Sequence, residues 1–214
     1  IFDAFVWSLN TDRLESLFTG FNYRFESKKN WGMSFDLRPS IENIDEAFDL
    51  SDDIEIPVGD YSFMTMEIGG STPFTKPLVL MGGFEYGSFY DGRFSKVEFN
   101  PTYNFSASLE LSANYQYSHI DFQERNKLFQ AHLIGLRALY MHNTKLSVAA
   151  FLQYNSLDKN FIPNIRLRYN PAEGNDLFIV YNDNLNTDRL REAPTLPKTN
   201  ARTILIKYSY TFRL

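Results

Sequence analysis

Ten charged residues recur inside otherwise apolar or aromatic segments: Arg24, Asp36, Arg38, Lys96, Glu98, Glu110, Arg137, Arg166, Arg168 and Lys207. Charges spaced two apart, as in the pairs Asp36/Arg38, Lys96/Glu98 and Arg166/Arg168, share a side only on an extended strand, where successive side chains point oppositely. Mixed charges in such rows offer a hydrated or salt-bridged surface. They do not by themselves make or break bonds.

The sequence holds no recognisable reactive constellation. There is no Gly-rich phosphate loop, no His-Glu-x-x-His and no Gly-x-Ser-x-Gly. His119, His132 and His142 fall on different segments without ligand spacing, so they read as girdle or interior residues. A barrel hydrolase would need a nucleophile or acid pair beside a histidine. His142 lies near Thr144 but has no acidic neighbour in sequence. The protein therefore reads as a non-enzyme, with no catalytic, cofactor or metal residues expected.

Two further features stand out. Glu42, Asp45, Glu46, Asp49, Asp52, Asp53, Glu55 and Asp60 crowd residues 40–60 with no Lys or Arg among them. Carboxylates at this density could hold Ca²⁺, but Asp49 to Asp60 lacks the spacing and central Gly of a helix-loop-helix site, so a solvated acidic outer loop is the reading. The run Leu9–Leu14 (LNTDRL) recurs at Leu185–Leu190, and Asn-Thr-Asp is good turn chemistry. Shared turn geometry accounts for it; a paired docking surface is the sharper alternative.

The elements that must position these residues are strands. Leu109, Leu111, Ala113, Tyr115 and Tyr117 alternate with Glu110, Ser112, Asn114 and Gln116, and Ile204, Ile206, Tyr208, Tyr210 and Phe212 oppose Thr203, Lys207, Ser209 and Thr211. This period of two predicts about twelve strands, near 1–8, 17–26, 32–39, 58–70, 77–89, 93–105, 107–120, 128–142, 145–156, 161–170, 176–184 and 201–212. Segments 1–8, 58–70 and 128–142 mix apolar and polar residues on both faces. No segment sustains a helical period.

Composition agrees with strands. Phe 20, Tyr 13 and Trp 2 make the chain 16% aromatic, and Cys is 0, which excludes a disulfide scaffold and a thiolate metal site. The net charge of −5 gives no reason to expect nucleic acid as a partner. A mean hydropathy of −0.33 and the lack of a long apolar run exclude spanning helices. A membrane barrel escapes that test, because half of each strand is polar and faces the interior.

Two patterns favour a barrel over a soluble sandwich. Tyr117, Tyr154, Tyr169, Tyr208, Tyr210 and Phe212 gather towards segment ends on the apolar face, where a lipid-facing aromatic girdle lies. The ten charged residues named above would then face the lumen. Connections near 27–31, 71–76, 105–107, 142–145 and 171–175 are short, as periplasmic turns are; 9–16, 40–57, 121–127, 156–161 and 185–200 fall on the other side, with Tyr90-Asp91-Gly92 as a tight hairpin.

Some of these residues resemble a known family. The runs NIRLRYNP (164–171), EGNDLFIVYN (173–182), LNTDR (185–189), RTILIKYSYTF (202–212) and GSFYDGR (87–93) are similar to the C-terminal barrel of a Bacteroidota outer-membrane family of unknown function. That resemblance implies a chain preceded by a β-sandwich like a family-9 carbohydrate-binding module, with residue 1 already inside the barrel.

The expectation is therefore all-β: a transmembrane antiparallel up-and-down β-barrel, one domain over 1–214, the C-terminal part of a larger barrel in a bacterial outer membrane. Its surroundings would be phospholipid and lipopolysaccharide, the barrel-assembly machinery and other subunits of an outer-membrane complex, with no cofactor. The preferred role is a non-enzymatic anchor or scaffold for a surface or periplasmic module. A pore for glycans or small polar solutes is the alternative, and a barrel hydrolase the third.

Overall fold

A computed structural model describes residues 2–7, 14–51 and 53–211. Segments rich in aromatic and β-branched residues become strands throughout. Twelve form one sheet: β1 (Phe2–Trp7), β2 (Ser16–Glu26), β3 (Gly32–Ile44), β6 (Gly59–Ser71), β7 (Leu78–Phe89), β8 (Gly92–Ser106), β9 (Leu109–Phe122), β10 (Lys127–Met141), β11 (Leu146–Asn155), β12 (Asn160–Ala172), β13 (Asn175–Asn186) and β14 (Thr199–Tyr210). The sheet order follows the chain, omitting only β4 (Phe48–Ser51) and β5 (Ile54–Ile56), which pair as a separate hairpin. This is the strand order of an antiparallel up-and-down β-barrel, the fold class expected from the sequence. A single 3₁₀ turn, Gln123–Arg125, is the one helical element among the described residues.

The turns obey local chemistry. Gly174 at φ 82 joins β12 to β13 in a backbone region that side chains resist. Gly92, after the Tyr90-Asp91 turn, is buried, and a Cβ there would stand 2.7 Å from the Phe122 ring.

By its contacts the chain groups into two compact units, one of residues 1–74, 81–99 and 116–131, the other of 75–80, 100–115 and 132–214. In the first, the acidic stretch departs from expectation. It is not simply a solvated loop: β3 extends through Ile44, and the β4–β5 hairpin inserts Ile54 and Ile56 into a cluster with Ile120 and Phe122. Leu50, Tyr61, Phe89, Tyr90, Phe94 and Phe129 surround that cluster. Asp49, Asp53 and Glu55 stay outside while Ile54 and Ile56 turn inward, since a two-residue period sorts even a short acidic segment.

This hairpin also explains why 58–70 read poorly. In β6, burial alternates strictly, but Tyr61 and Phe63 stand on the same face as Glu67. Those two rings meet Tyr90 at 5.0 and 5.3 Å. Truncating Phe122, fully buried at the centre, leaves a cavity under the hairpin. Phe122→Ala should cost about 3–5 kcal/mol in urea unfolding from detergent micelles, with new proteolytic cleavage within 45–58.

Candidate functional site

Antiparallel partners share a face, so the register assigns every side chain to one of two surfaces. Asp36 opposes Asn22 on one side and Glu67 on the other, and Glu67 opposes Glu85. Arg38 and Thr65, and Arg24 and Ser34, lie on the same surface. In the first unit this charged face carries Arg24, Asp36, Arg38, Lys96 and Glu98, together with Glu67 and Glu85, which sequence reasoning missed.

All of these but Arg24 form a network; Arg24 is exposed and makes no ion pair or side-chain hydrogen bond among the described residues. Arg38 lies 2.8 Å from Glu67, 3.5 Å from Glu85 and 3.8 Å from Asp36. Lys96 lies 3.0 Å from Glu85 and 3.1 Å from Glu98. The Glu85 side chain is 9% exposed and needs both cations, because an uncompensated carboxylate at that depth is costly. Glu67 was legible in the alternation of Thr65, Glu67 and Gly69 against Met64, Met66 and Ile68; the aromatics under the hairpin obscured it.

At the loop end of this face, Arg125 clamps the hairpin. It donates to the Glu55 carbonyl and lies 2.7 Å from Asp91. Tyr90 donates to Glu42 at 2.6 Å. Tyr90 sits in the β7–β8 turn, where burial and the Glu42 carboxylate hold its phenol well above the ordinary value.

In the second unit the charged face carries Glu110, Arg137, Arg166, Arg168 and Lys207. Arg137 pairs with Glu110 at 2.7 Å and Arg168 with Asp176 at 2.9 Å. Arg166 and Lys207 make no ion pair or side-chain hydrogen bond among the described residues, and both are exposed. Arg168 and Lys207 flank Phe178 in register, and the Arg168 guanidinium lies 5.8 Å from that ring.

The opposite face is apolar and open. Tyr154 opposes Ile134 and Phe161, and Tyr169 opposes Leu146 and Leu177, which opposes Tyr208. Ile204 and Ile206 are 66% and 68% exposed, with no second layer over them. Tyr210 is exposed, Tyr117 is half-buried, and Phe212 lies outside the described residues.

Polar groups on this face are tied in pairs. Tyr115 meets His132 Nδ1 at 3.0 Å, and Tyr117 meets His119 Nδ1 at 3.2 Å. Asp183, fully buried, accepts from Tyr181 at 2.7 Å and from Arg202 at 2.8 Å near the loop end of β13. That ion pair was missed in sequence, because Asp183 and Arg202 meet only through strand register. His142 lies 3.5 Å from Tyr140. The second copy of the six-residue repeat leaves β13: Thr187 donates to the Lys159 carbonyl at 2.6 Å, and Asp188 pairs with Lys159 at 2.7 Å. The first copy lies outside the described residues but for Leu14.

No family model and no curated protein matches the chain. Among solved structures, the NanC porin in a rhombohedral crystal form is similar at 11% identity and TM-score 0.39, covering 92% of this chain and 94% of that one. The KdgM porin in complex with disordered oligogalacturonate is similar at 12% identity and TM-score 0.33, covering 92% of each chain. Likeness at this level carries no argument about what this chain does.

Two measurements probe the charged face. Arg38→Met leaves Asp36, Glu67, Glu85 and Glu98 with Lys96 as the neutralising cation; destabilisation of about 1–3 kcal/mol is expected, partly recovered by adding Glu67→Gln. Urea midpoints in micelles read both. For Tyr90, the raised value means the folded state keeps a proton that the unfolded chain gives up. Its contribution is complete below about pH 10 and declines as pH climbs towards the folded value. Absorbance at 295 nm should show one late-titrating phenol, absent in Tyr90→Phe and titrating earlier in Glu42→Gln.

Proposed function

We propose that this chain is a β-barrel of the bacterial outer membrane, its apolar face against acyl chains and its charged face around a water-filled interior that admits small polar solutes. An up-and-down ladder satisfies the backbone groups of its inner strands, and closing β14 onto β1 would satisfy those of the edges, the condition any lipid-embedded sheet must meet. In water the open apolar face would be an aggregation surface; in a bilayer it is the contact surface. The rings of Phe25, Tyr103, Phe105, Tyr140 and Tyr208 lie towards the short-turn ends of their strands on that face, as an interfacial girdle requires.

The observation that favours a passage over a filled anchor is exposure on the charged face. Side chains that plugged an interior would be buried, yet those of Arg38, Arg137 and Arg168 are 46%, 47% and 51% exposed. The β4–β5 hairpin packs on the charged-face side of β6 to β10 at their loop ends, so it is the segment whose release should widen a passage there.

The anchor or scaffold role remains the second reading, with the charged face serving stability alone. Planar bilayers separate the two. Discrete small openings are expected from folded protein, larger in Ile54→Ser/Ile56→Ser, which unseats the hairpin. Folded protein that is silent in both forms would sink the passage and leave the anchor.

A further inference from the structure

Each carboxylate on the charged face of the second unit is already committed: Glu110 to Arg137 and Asp176 to Arg168. Against these two acids stand four cations, Arg137, Arg166, Arg168 and Lys207. Arg166 and Lys207 are left without a partner among the described residues. Surface cations are ordinarily solvated singly, but these are placed in common register. Arg166 and Arg168 alternate along β12, about 7 Å apart on one face. Lys207 lies in the row of Arg168, with Phe178 between them, two strand spacings or about 10 Å away.

We propose that Arg166, Arg168 and Lys207 form a binding track for small solutes bearing at least two anionic groups, carboxylate or phosphate. This rests on the water-filled interior proposed above and names the solute class it would select. Three features carry it. A guanidinium presents a planar donor fork that matches both kinds of oxyanion, and Arg166, unlike Arg168 with its Asp176 partner, has no protein carboxylate to be displaced. The two unpartnered cations, Arg166 and Lys207, lie on the diagonal about 12 Å apart with Arg168 between them, a span that fits two anionic groups of one molecule better than a single ion. Phe178 supplies an apolar platform between the charges, and Arg168 already lies against it.

The first unit provides the contrast. There Asp36, Glu67, Glu85 and Glu98 outnumber Arg38 and Lys96, so both cations of that network are spent internally. Arg24, the cation of the first unit's charged face without a partner among the described residues, stands opposite Ser34 with no second cation in its row. Arg166 and Lys207 are instead grouped in register around Arg168 and Phe178; the track is therefore a property of the second unit's charged face.

Two readouts test the track on the whole chain. In bilayers under a KCl gradient, the wild-type reversal potential should show chloride preference, and Arg166→Gln/Lys207→Gln should abolish it. Tripolyphosphate and citrate serve as phosphate and carboxylate probes, with an uncharged trisaccharide as control. Both anions should reduce the current, and the double substitution should raise the blocking concentration about tenfold. Calorimetric binding of the same probes to folded protein in micelles gives a second readout that needs no conduction. Block by one probe only assigns the track to that oxyanion. A conducting channel whose selectivity and block ignore the double substitution would overturn the track and leave the passage standing. A silent protein that still binds the probes, and loses them on substitution, would overturn the passage and keep the anion site. Neither block nor binding in wild type would overturn the track.

Discussion

Everything in this structure depends on the hydrogen-bonded antiparallel ladder, which gives each side chain one of only two faces. Once neighbours are in register, a row such as Asn22, Asp36, Glu67 and Glu85 is assembled across four strands from residues far apart in sequence. A slip of one residue on any strand would send its charges to the apolar surface. Register is thus set by cost as much as by turns: unpaired charge among Met64, Met66 and Ile68 would have nothing to neutralise it.

The same constraint produces two kinds of charged surface. In the first unit four carboxylates take up both Arg38 and Lys96 around the nearly buried Glu85, and these contacts tie strands β3, β6, β7 and β8 together. In the second unit the acids are fewer and the faces between β11 and β14 keep free cations beside Phe178.

The β4–β5 hairpin shows how a ladder can be locally overruled. Its apolar side covers Ile120, Phe122, Phe89, Phe94 and Phe129, all at the loop ends of strands whose lower halves carry charge on that face. A strand with apolar residues on both faces at one end and a charge further down reads ambiguously as a sequence. The ambiguity in 58–70 and 128–142 reflects a second layer at one end of those strands and not a departure from strand structure. The hairpin's own acidity concealed it, since Asp49, Asp53 and Glu55 mark the exposed edge of a segment whose isoleucines are buried.

The chain's alternation determined the strands, their order and the two faces, because period two is a local property readable from neighbouring residues. It placed Arg24, Asp36, Arg38, Lys96, Glu98, Glu110, Arg137, Arg166, Arg168 and Lys207 on one side, and five of six tyrosine and phenylalanine positions on the other. Only the tertiary structure decided which charges are neutralised, that Glu67 and Glu85 join the network, that Asp183 is buried beside Arg202, and that the acidic loop folds inward. Those outcomes depend on which residues of separate strands end up opposite one another, and a cross-strand partner leaves no mark on the local pattern.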